Sequence, residues 1–173
     1  MSDFLEQLKE RRSIRAFQEK MVPKEDIEKV IEAGLYAASG KNRQDSIIVA
    51  VTDRECRDWF SRINAEIMGV STDPFYGAPV ILIVLADKNA PTYLYDGSLT
   101  IANMLLEADA LGLGACWIHR AKEEFESEEG QAFLKSLGIE GDYEGIGHVA
   151  LGYPSMEKAA APERKGGRVF WKA

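Results

Sequence analysis

The sequence contains few of the residues that usually carry metal-centred or nucleophilic chemistry. It has only two cysteines and two histidines in 173 residues. Cys56 and Cys116 lie far apart, in neither a metal-ligand motif nor a disulfide framework typical of small secreted proteins. A phosphate-binding Walker A sequence is also absent. We therefore predict no metal site, reduced thiols and a cytoplasmic location.

Long apolar segments are missing as well. The longest uninterrupted apolar run covers residues 78–86, whereas a membrane-spanning helix needs about 20 such residues. The first residues, MSDFLE, lack the pattern of a signal peptide. We expect no membrane partner.

Positive charge is scarce overall. The chain has 21 Lys and Arg against 28 Asp and Glu, a net charge of −7. Such a charge repels nucleic acid, and no long basic stripe offsets it, so we expect no nucleic-acid partner. The length and the ordinary apolar content predict a single domain over residues 1–173.

The few cations are concentrated near the two ends. Residues 11–15 read RRSIR, and residues 158–173 hold five cations and one acid. Arginine offers a planar fork of donors that suits phosphate, so the two segments could converge on one polyanionic ligand. The alternative is a solvated helix end, whose cations oppose the helix dipole, together with a mobile basic tail.

Apolar spacing of three and four residues predicts five helices. The first is capped by Ser2 or Asp3, the second begins at Pro23 and extends to Ala38, and the third is capped by Asp53. The other two cover residues 96–111 and 128–137. The helix over 96–111 is apolar almost all round, which indicates a subunit interface as well as a core position.

Continuous apolar runs predict four buried strands. They cover residues 47–51, 79–85, 115–118 and 146–151. Strands and helices alternate only after two successive helices, and the loops are uneven in length. This order favours an α+β layered sandwich over a regular doubly wound sheet.

No set of nucleophile and base stands out. His119 follows a predicted strand and either lines a site or is structural, while His148 lies within a strand and is expected to be a satisfied or half-exposed core residue. The LGLG sequence at 111–114 follows a helix and precedes a strand, the reverse of a dinucleotide-binding loop. If the protein is an enzyme, a cofactor must therefore carry the chemistry.

Several short segments in order along the chain form a joint pattern. They are RRSIRAF at 11–17, ASGKNRQ at 38–44, PFYGAPV at 74–80, LGLGACWI at 111–118, LGYP at 151–154 and RKGGR at 164–168. Each is unspecific alone, but together they resemble the nitroreductase family of FMN-dependent oxidoreductases. The chain is similar to the short members, which lack long insertions.

The resemblance implies an α+β fold, a three-layer sandwich with a central, mostly antiparallel sheet flanked by helices. It also implies an intertwined homodimer with two FMN molecules at the subunit interface. Residues 153–173 would be a basic C-terminal extension of the one FMN-binding domain.

The resemblance assigns FMN-binding roles along the chain. Arg11, Arg12 and Ser13 would hold the phosphate and ribityl chain, and Arg15 would lie beside the pyrimidine edge. The partner subunit would supply the loop 39–44, residues 117–119 would run along the flavin, and tail cations would close the site. The full set is Arg11, Arg12, Ser13, Arg15, Ser39, Gly40, Asn42, Gln44, Trp117, Ile118, His119, Arg164, Lys165 and Arg168.

The resemblance also implies the activity: hydride transfer from NAD(P)H through flavin N5 to electron-poor acceptors such as nitroaromatics or quinones. Two departures bear on substrate range, because Asp45-Ser46 replace a common Pro-Trp, and His119-Arg120 stand where larger members carry a glutamate. Asn64 is the candidate counterpart of an asparagine near the flavin edge. Two alternatives stay open: an FMN-binding carrier, sensor or flavin-modifying enzyme, and an acidic interaction protein with solvated basic ends.

Overall fold

A four-stranded antiparallel sheet forms the centre of the molecule. The computed structural model describes residues 4–172. Its strands are β1 (Ser46–Val51), β2 (Val80–Asp87), β3 (Gly114–Ile118) and β4 (Tyr143–Gly152), in the spatial order β1-β2-β4-β3. Each neighbouring pair is antiparallel. All four predicted strands are present, and β4 begins three residues earlier than its apolar run indicates.

Helices cover both faces of this sheet. Within residues 4–172 they are α1 (Phe4–Glu10), α2 (Lys24–Leu35), α3 (Arg54–Met68), α4 (Tyr93–Ala110), α5 (Ala121–Glu126) and α6 (Glu128–Ser136). A short 3-10 helix at Gly40–Asn42 separates α2 from β1. The prediction of an α+β sandwich with a central antiparallel sheet is therefore confirmed.

Strands β2 and β4 lie inside the sheet, which explains their long apolar runs. Seven of the eight β2 residues are buried, because successive side chains enter opposite cores. Leu82 and Val84 pack with α2 and α4 on one face, through residues such as Val30 and Met104. Ile81, Ile83 and Leu85 pack on the other face, in a cluster that includes residues of α3, α5 and α6.

Local signals set several helix boundaries correctly. The Asp53 side chain accepts a hydrogen bond from the backbone N–H of Cys56 at 2.8 Å, which confirms the predicted N-cap of α3. The proposed caps of α1, Ser2 and Asp3, lie outside the described residues. Helix α2 ends at Leu35, so the prediction that it reaches Ala38 is wrong.

Two further helix predictions need correction. The apolar spacing of α3 predicts an inner stripe that includes Phe60 and Ile67; Phe60 is buried, but Ile67 is exposed. The inner face instead includes Arg57, Ser61 and Asn64, which are buried because each finds polar partners there. Helix α4 begins three residues before the predicted start, and α5 was missed because six residues are too few to show a period.

Apolar side chains remain exposed on several helices of the single chain. Phe4, Leu5 and Leu8 of α1 and Leu94 and Leu99 of α4 all face outward. The expectation that α4 adjoins a subunit interface stays a prediction. Among the helices of residues 4–172, none combines the length and apolarity needed to cross a bilayer.

Gly145 provides a test of the packing between β4 and α5. A Cβ at this position would lie 2.3 Å from the backbone carbonyl oxygen of Ala121, and no rotamer change relieves a clash with backbone. We expect Gly145→Ala to lower the free energy of unfolding by about 1–3 kcal/mol, measured by urea denaturation. Gly166→Ala, which meets nothing within 4 Å, is the control and should leave stability unchanged.

Candidate functional site

The arginine-rich segment lies along the outer edge of β3. Ser13 pairs in parallel with Ala115, and the N–H of Ile14 donates to the Ala115 carbonyl at 3.0 Å. The approach is close because Gly114 has no side chain: a Cβ there would lie 2.9 Å from Cγ2 of Ile14. The sheet edge thus fixes the backbone that carries Arg11 to Arg15.

The start of the C-terminal tail pairs with the same segment. The Gln18 N–H donates to the Tyr153 carbonyl at 2.9 Å, and the Ser155 N–H donates to the Ala16 carbonyl at 3.0 Å. Further on, Lys158 forms an ion pair with Asp109 of α4 at 2.5 Å. The tail therefore leaves the sheet beside the arginines.

The three arginines have different surroundings. Arg12 donates from both terminal nitrogens to the carbonyls of Lys9 and Arg11, at the end of α1. Arg12 thus neutralises the carbonyl end of α1, which is the role that the sequence offered as the alternative to anion binding. Its Nε is buried without a partner among residues 4–172. Arg11 is half-buried and Arg15 is exposed, and both remain available to an anion.

Cys116 shows that the remaining donors share one locality. Burial raises the pKa of the Cys116 thiol, and the Arg15 charge, a hydrogen bond with Ser13 and the Arg11 charge all oppose that rise. Two guanidinium groups and a hydroxyl therefore lie close enough to influence Cys116, in the middle of β3. This donor set suits a phosphate or another polar anion.

The polar loop 39–44 is rigidly built. Its Gly40 N–H donates to both carboxylate oxygens of Asp96 at 3.1 Å, and the Gln44 N–H donates to Oγ of Ser39 at 3.0 Å. Lys41, Asn42 and Gln44 have φ near +55°, an uncommon conformation for residues with a side chain. The loop presents Asn42 and Gln44 to the surface.

One chain does not bring this loop to the arginines. The loop leads into β1, and the arginine segment lies beside β3, at the opposite edge of the sheet. Three strand spacings separate β1 from β3, or about 14 Å at 4.8 Å per spacing. The predicted site is thus divided into two halves within each chain.

The end of β3 exposes less side chain than expected. Ile118 is buried in the core, so only its backbone is left for a ligand. Trp117 is half-buried against Gly147, where a Cβ would lie 2.3 Å from Nε1. His119 is exposed and marks the accessible end of the strand.

The tail cations are exposed in the single chain. Arg164, Lys165 and Arg168 form no ion pair with other residues in the range 4–172. Their convergence on the site stays a prediction.

A buried polar network behind β3 was not foreseen from the sequence. Asn64 is fully buried, donates to the carbonyl of His119 at 3.0 Å and to Glu124, and accepts from Nε of Arg120 at 2.9 Å. In the single chain these bonds occupy the Asn64 side chain, and its contact with the flavin edge stays a prediction. His148 is buried as a satisfied core residue, as predicted, with Nε2 2.7 Å from Glu124 Oε2. The only sequence signal was the presence of polar residues on apolar helix and strand faces.

Asp45 is placed unusually for a carboxylate. Its side-chain oxygens are buried and lack a hydrogen-bond partner in the described part of the chain, and so does Oγ of Ser46. Burial raises the pKa of Asp45, and the charges of Asp96 and Asp87 raise it further. Ionisation of Asp45 is therefore less favourable than that of a carboxyl group in water.

Asp45→Asn should reveal this pKa shift as a pH-dependent gain in stability. Because the folded-state pKa is raised, the wild-type protein loses stability as pH rises through that value, and the neutral amide does not. We expect the melting temperature of Asp45→Asn to exceed that of the wild type at about pH 7.5. This difference in melting temperature should disappear below about pH 4, where Asp45 is protonated in both the folded and the unfolded state. Glu140→Gln, at an exposed position, is the control. An equal difference at both pH values would contradict the assignment.

The chain is similar to proteins of one known family. The model of the Nitroreductase family matches residues 8–153. A protein of Archaeoglobus fulgidus named "Putative NADH dehydrogenase/NAD(P)H nitroreductase" is 32% identical over 163 residues, which are 91% of this chain and 89% of that protein. A nitroreductase of Bacteroides fragilis, solved with bound FMN, is 29% identical with a TM-score of 0.86 over 100% of both chains.

A second solved structure extends the likeness of the fold. A nitroreductase of Desulfitobacterium hafniense, also with bound FMN, superposes with a TM-score of 0.87 over 100% of both chains, at 23% identity. The family model covers most of the chain, and the likeness of the fold extends over its whole length. The chain therefore belongs to the nitroreductase family.

Proposed function

We propose that the protein is a homodimeric FMN-dependent oxidoreductase that takes hydride from NAD(P)H and reduces small electron-poor acceptors such as nitroaromatics or quinones. The observation that carries the proposal is the group of Arg11, Ser13 and Arg15 at the edge of β3. It occurs in a chain that resembles, at 29% identity, a nitroreductase solved with bound FMN.

The residues at this edge fit FMN chemically. The guanidinium groups and the Ser13 hydroxyl supply charge-assisted donors for the phosphate and ribityl oxygens. Arg15 is exposed and unpaired among the described residues, so it can lie beside the pyrimidine edge, where a positive charge favours the anionic reduced ring. Residues 117–119 then offer backbone along the ring.

Bound FMN would supply the redox chemistry, accepting hydride at N5 and passing it to an acceptor that replaces the nicotinamide in a ping-pong sequence. The chain's own contribution is to bind, orient and shield the ring. No side-chain acid or base is required for that, in agreement with the lack of a nucleophile–base set in the sequence.

A second copy of the chain would complete the site. The loop with Ser39, Gly40, Asn42 and Gln44 lies at the far edge of the sheet from the arginines. The apolar residues exposed on α1 and α4 offer a surface for dimerisation. The tail with Arg164, Lys165 and Arg168 leaves its own chain beside the arginines and is free to reach across to a partner.

The alternative is an FMN carrier, sensor or flavin-modifying enzyme of the same fold. The exposed His119 favours it, because larger members are expected to have a glutamate there. Reactivity of the bound flavin separates the two functions.

The first test is the colour and reactivity of the purified protein. We expect a yellow protein with one FMN per chain and the sedimentation mass of two chains. Excess NADH or NADPH should bleach it within the mixing time of a spectrophotometer, and menadione or nitrofurazone should restore the colour. A protein that stays colourless with added FMN contradicts the proposal, and a yellow protein that neither nicotinamide bleaches supports the carrier or sensor.

The second test concerns the cations. Arg15→Ala should weaken FMN binding by about tenfold or more, because a lost hydrogen bond to a charged group costs roughly 1.5–3 kcal/mol. The double variant Arg164→Ala and Arg168→Ala should weaken it as well if the tail reaches the partner's phosphate. Arg54→Ala, an arginine on α3 that is largely exposed, is the control for net charge. Equal FMN affinity in all three variants would contradict the proposal that these cations bind FMN.

A further inference from the structure

The turn after β3 is held from the core side by two side chains that contact successive carbonyls. Nδ1 of His148 lies 3.4 Å from the carbonyl oxygen of Ile118. Nδ2 of Asn64 donates to the carbonyl oxygen of His119 at 3.0 Å. Both contacts come from fully buried side chains, so the turn is attached to the core of the molecule.

Glu124 joins the two anchors into one network. Its Oε2 lies 2.7 Å from Nε2 of His148, and its Oε1 accepts from Nδ2 of Asn64. The side-chain oxygen of Asn64, Oδ1, accepts a hydrogen bond from Nε of Arg120 at 2.9 Å. Each side-chain polar atom of Asn64 and Glu124 therefore has a partner. A fully satisfied buried network of this kind resists rearrangement, because breaking one bond leaves another group unpaired.

The backbone of the turn is unusual in itself. Arg120 has a φ of +79°, a left-handed conformation that a long side chain seldom adopts. The bond from its guanidinium to Asn64 fixes it there. Strain of this kind persists only where surrounding contacts impose it, and it is often found at functional sites.

The direction of the two carbonyls determines the direction of two N–H groups. No cis peptide bond occurs in the described chain, and in a trans peptide the N–H points opposite to the preceding carbonyl. Since the carbonyls of Ile118 and His119 point at His148 and Asn64, the N–H groups of His119 and Arg120 point away from the core. They emerge at the exposed end of β3, where residues 117–119 meet the flavin in the function proposed above.

We propose that Asn64, Glu124 and His148 are positioning residues that aim the N–H groups of His119 and Arg120 at the hydride-accepting edge of the flavin. This inference rests on the proposed function. Oriented backbone donors of this kind stabilise negative charge on a reacting group, and misalignment weakens them sharply. The network would thus act on the rate of flavin reduction while the arginines act on FMN affinity.

The test compares three variants of the FMN-bound protein. Asn64→Leu removes the bond to the His119 carbonyl, and Glu124→Gln keeps the shape but weakens both anchors. Ser61→Ala is the matched control: it lies on the same helix as Asn64 and is also largely buried, but its hydroxyl donates to Asp73, at 2.6 Å, away from the turn. FMN affinity and the rate of reduction at saturating NADPH or NADH are measured for each.

We expect Asn64→Leu to slow flavin reduction by about tenfold and Glu124→Gln to slow it less, with FMN affinity unchanged in both. The double variant should be no slower than Asn64→Leu, because both changes act through the same turn. Ser61→Ala should lose thermal stability and keep the wild-type rate. Wild-type reduction rates in both Asn64→Leu and Glu124→Gln would overturn the inference, and so would equal slowing in Ser61→Ala.

Hydrogen exchange in the flavin-free protein separates this inference from the proposed function. Amides of residues 117–121 should exchange faster in Asn64→Leu than in Ser61→Ala; equal exchange overturns the positioning role whether or not FMN binds. Failure of the wild type to bind FMN, with exchange as expected, counts against the proposed function alone. If Asn64→Leu does not fold, the isosteric Glu124→Gln carries both measurements.

Discussion

The pairing of residues 13 and 14 with Ala115 is the contact on which the candidate site depends. The backbone hydrogen bond from Ile14 to Ala115, made possible by the bare Gly114, adds the arginine-bearing segment to the edge of the sheet, and the start of the tail holds the other end of this segment. Without it, Arg11 and Arg15 would be surface cations on a flexible connection, and their charges would be screened by water and salt. The sheet converts them into a fixed donor set, because β3 is itself held by the fully buried β4.

Buried polar groups are treated in opposite ways at the two edges of the sheet. Behind β3, the network of Asn64, Glu124 and His148 satisfies its side-chain donors and acceptors and braces the turn. Beside β1, the oxygens of Asp45 and Ser46 are buried without partners among residues 4–172, and the pKa of Asp45 rises in consequence. The first edge is built to hold one geometry. The second leaves buried oxygens without a hydrogen-bond partner in the described part of the chain.

Features that depend on a local sequence pattern were predicted correctly, and features that depend on distant residues were not. The long runs of β2 and β4, the Asp53 cap and the amphipathic α2 were predicted because each is a local pattern of apolar spacing or a single side-chain bond. The network behind β3 was missed because its members come from α3, α5, β4 and the turn between β3 and α5, with no spacing in common. The sequence offered Asn64 only as a candidate near the flavin edge, because its position along the chain does not show that it bonds to the His119 carbonyl.

The sequence by itself determined the element types, the family and the set of cations, because these follow from periodicity, composition and short motifs that survive without a partner. The tertiary structure decided which groups share a space. It placed the loop 39–44 and the arginines at opposite edges of one sheet, withdrew the Ile118 side chain into the core and turned the N–H groups of His119 and Arg120 outward. These outcomes depend on strand order and on contacts between residues distant along the chain, and only a folded backbone brings such residues together.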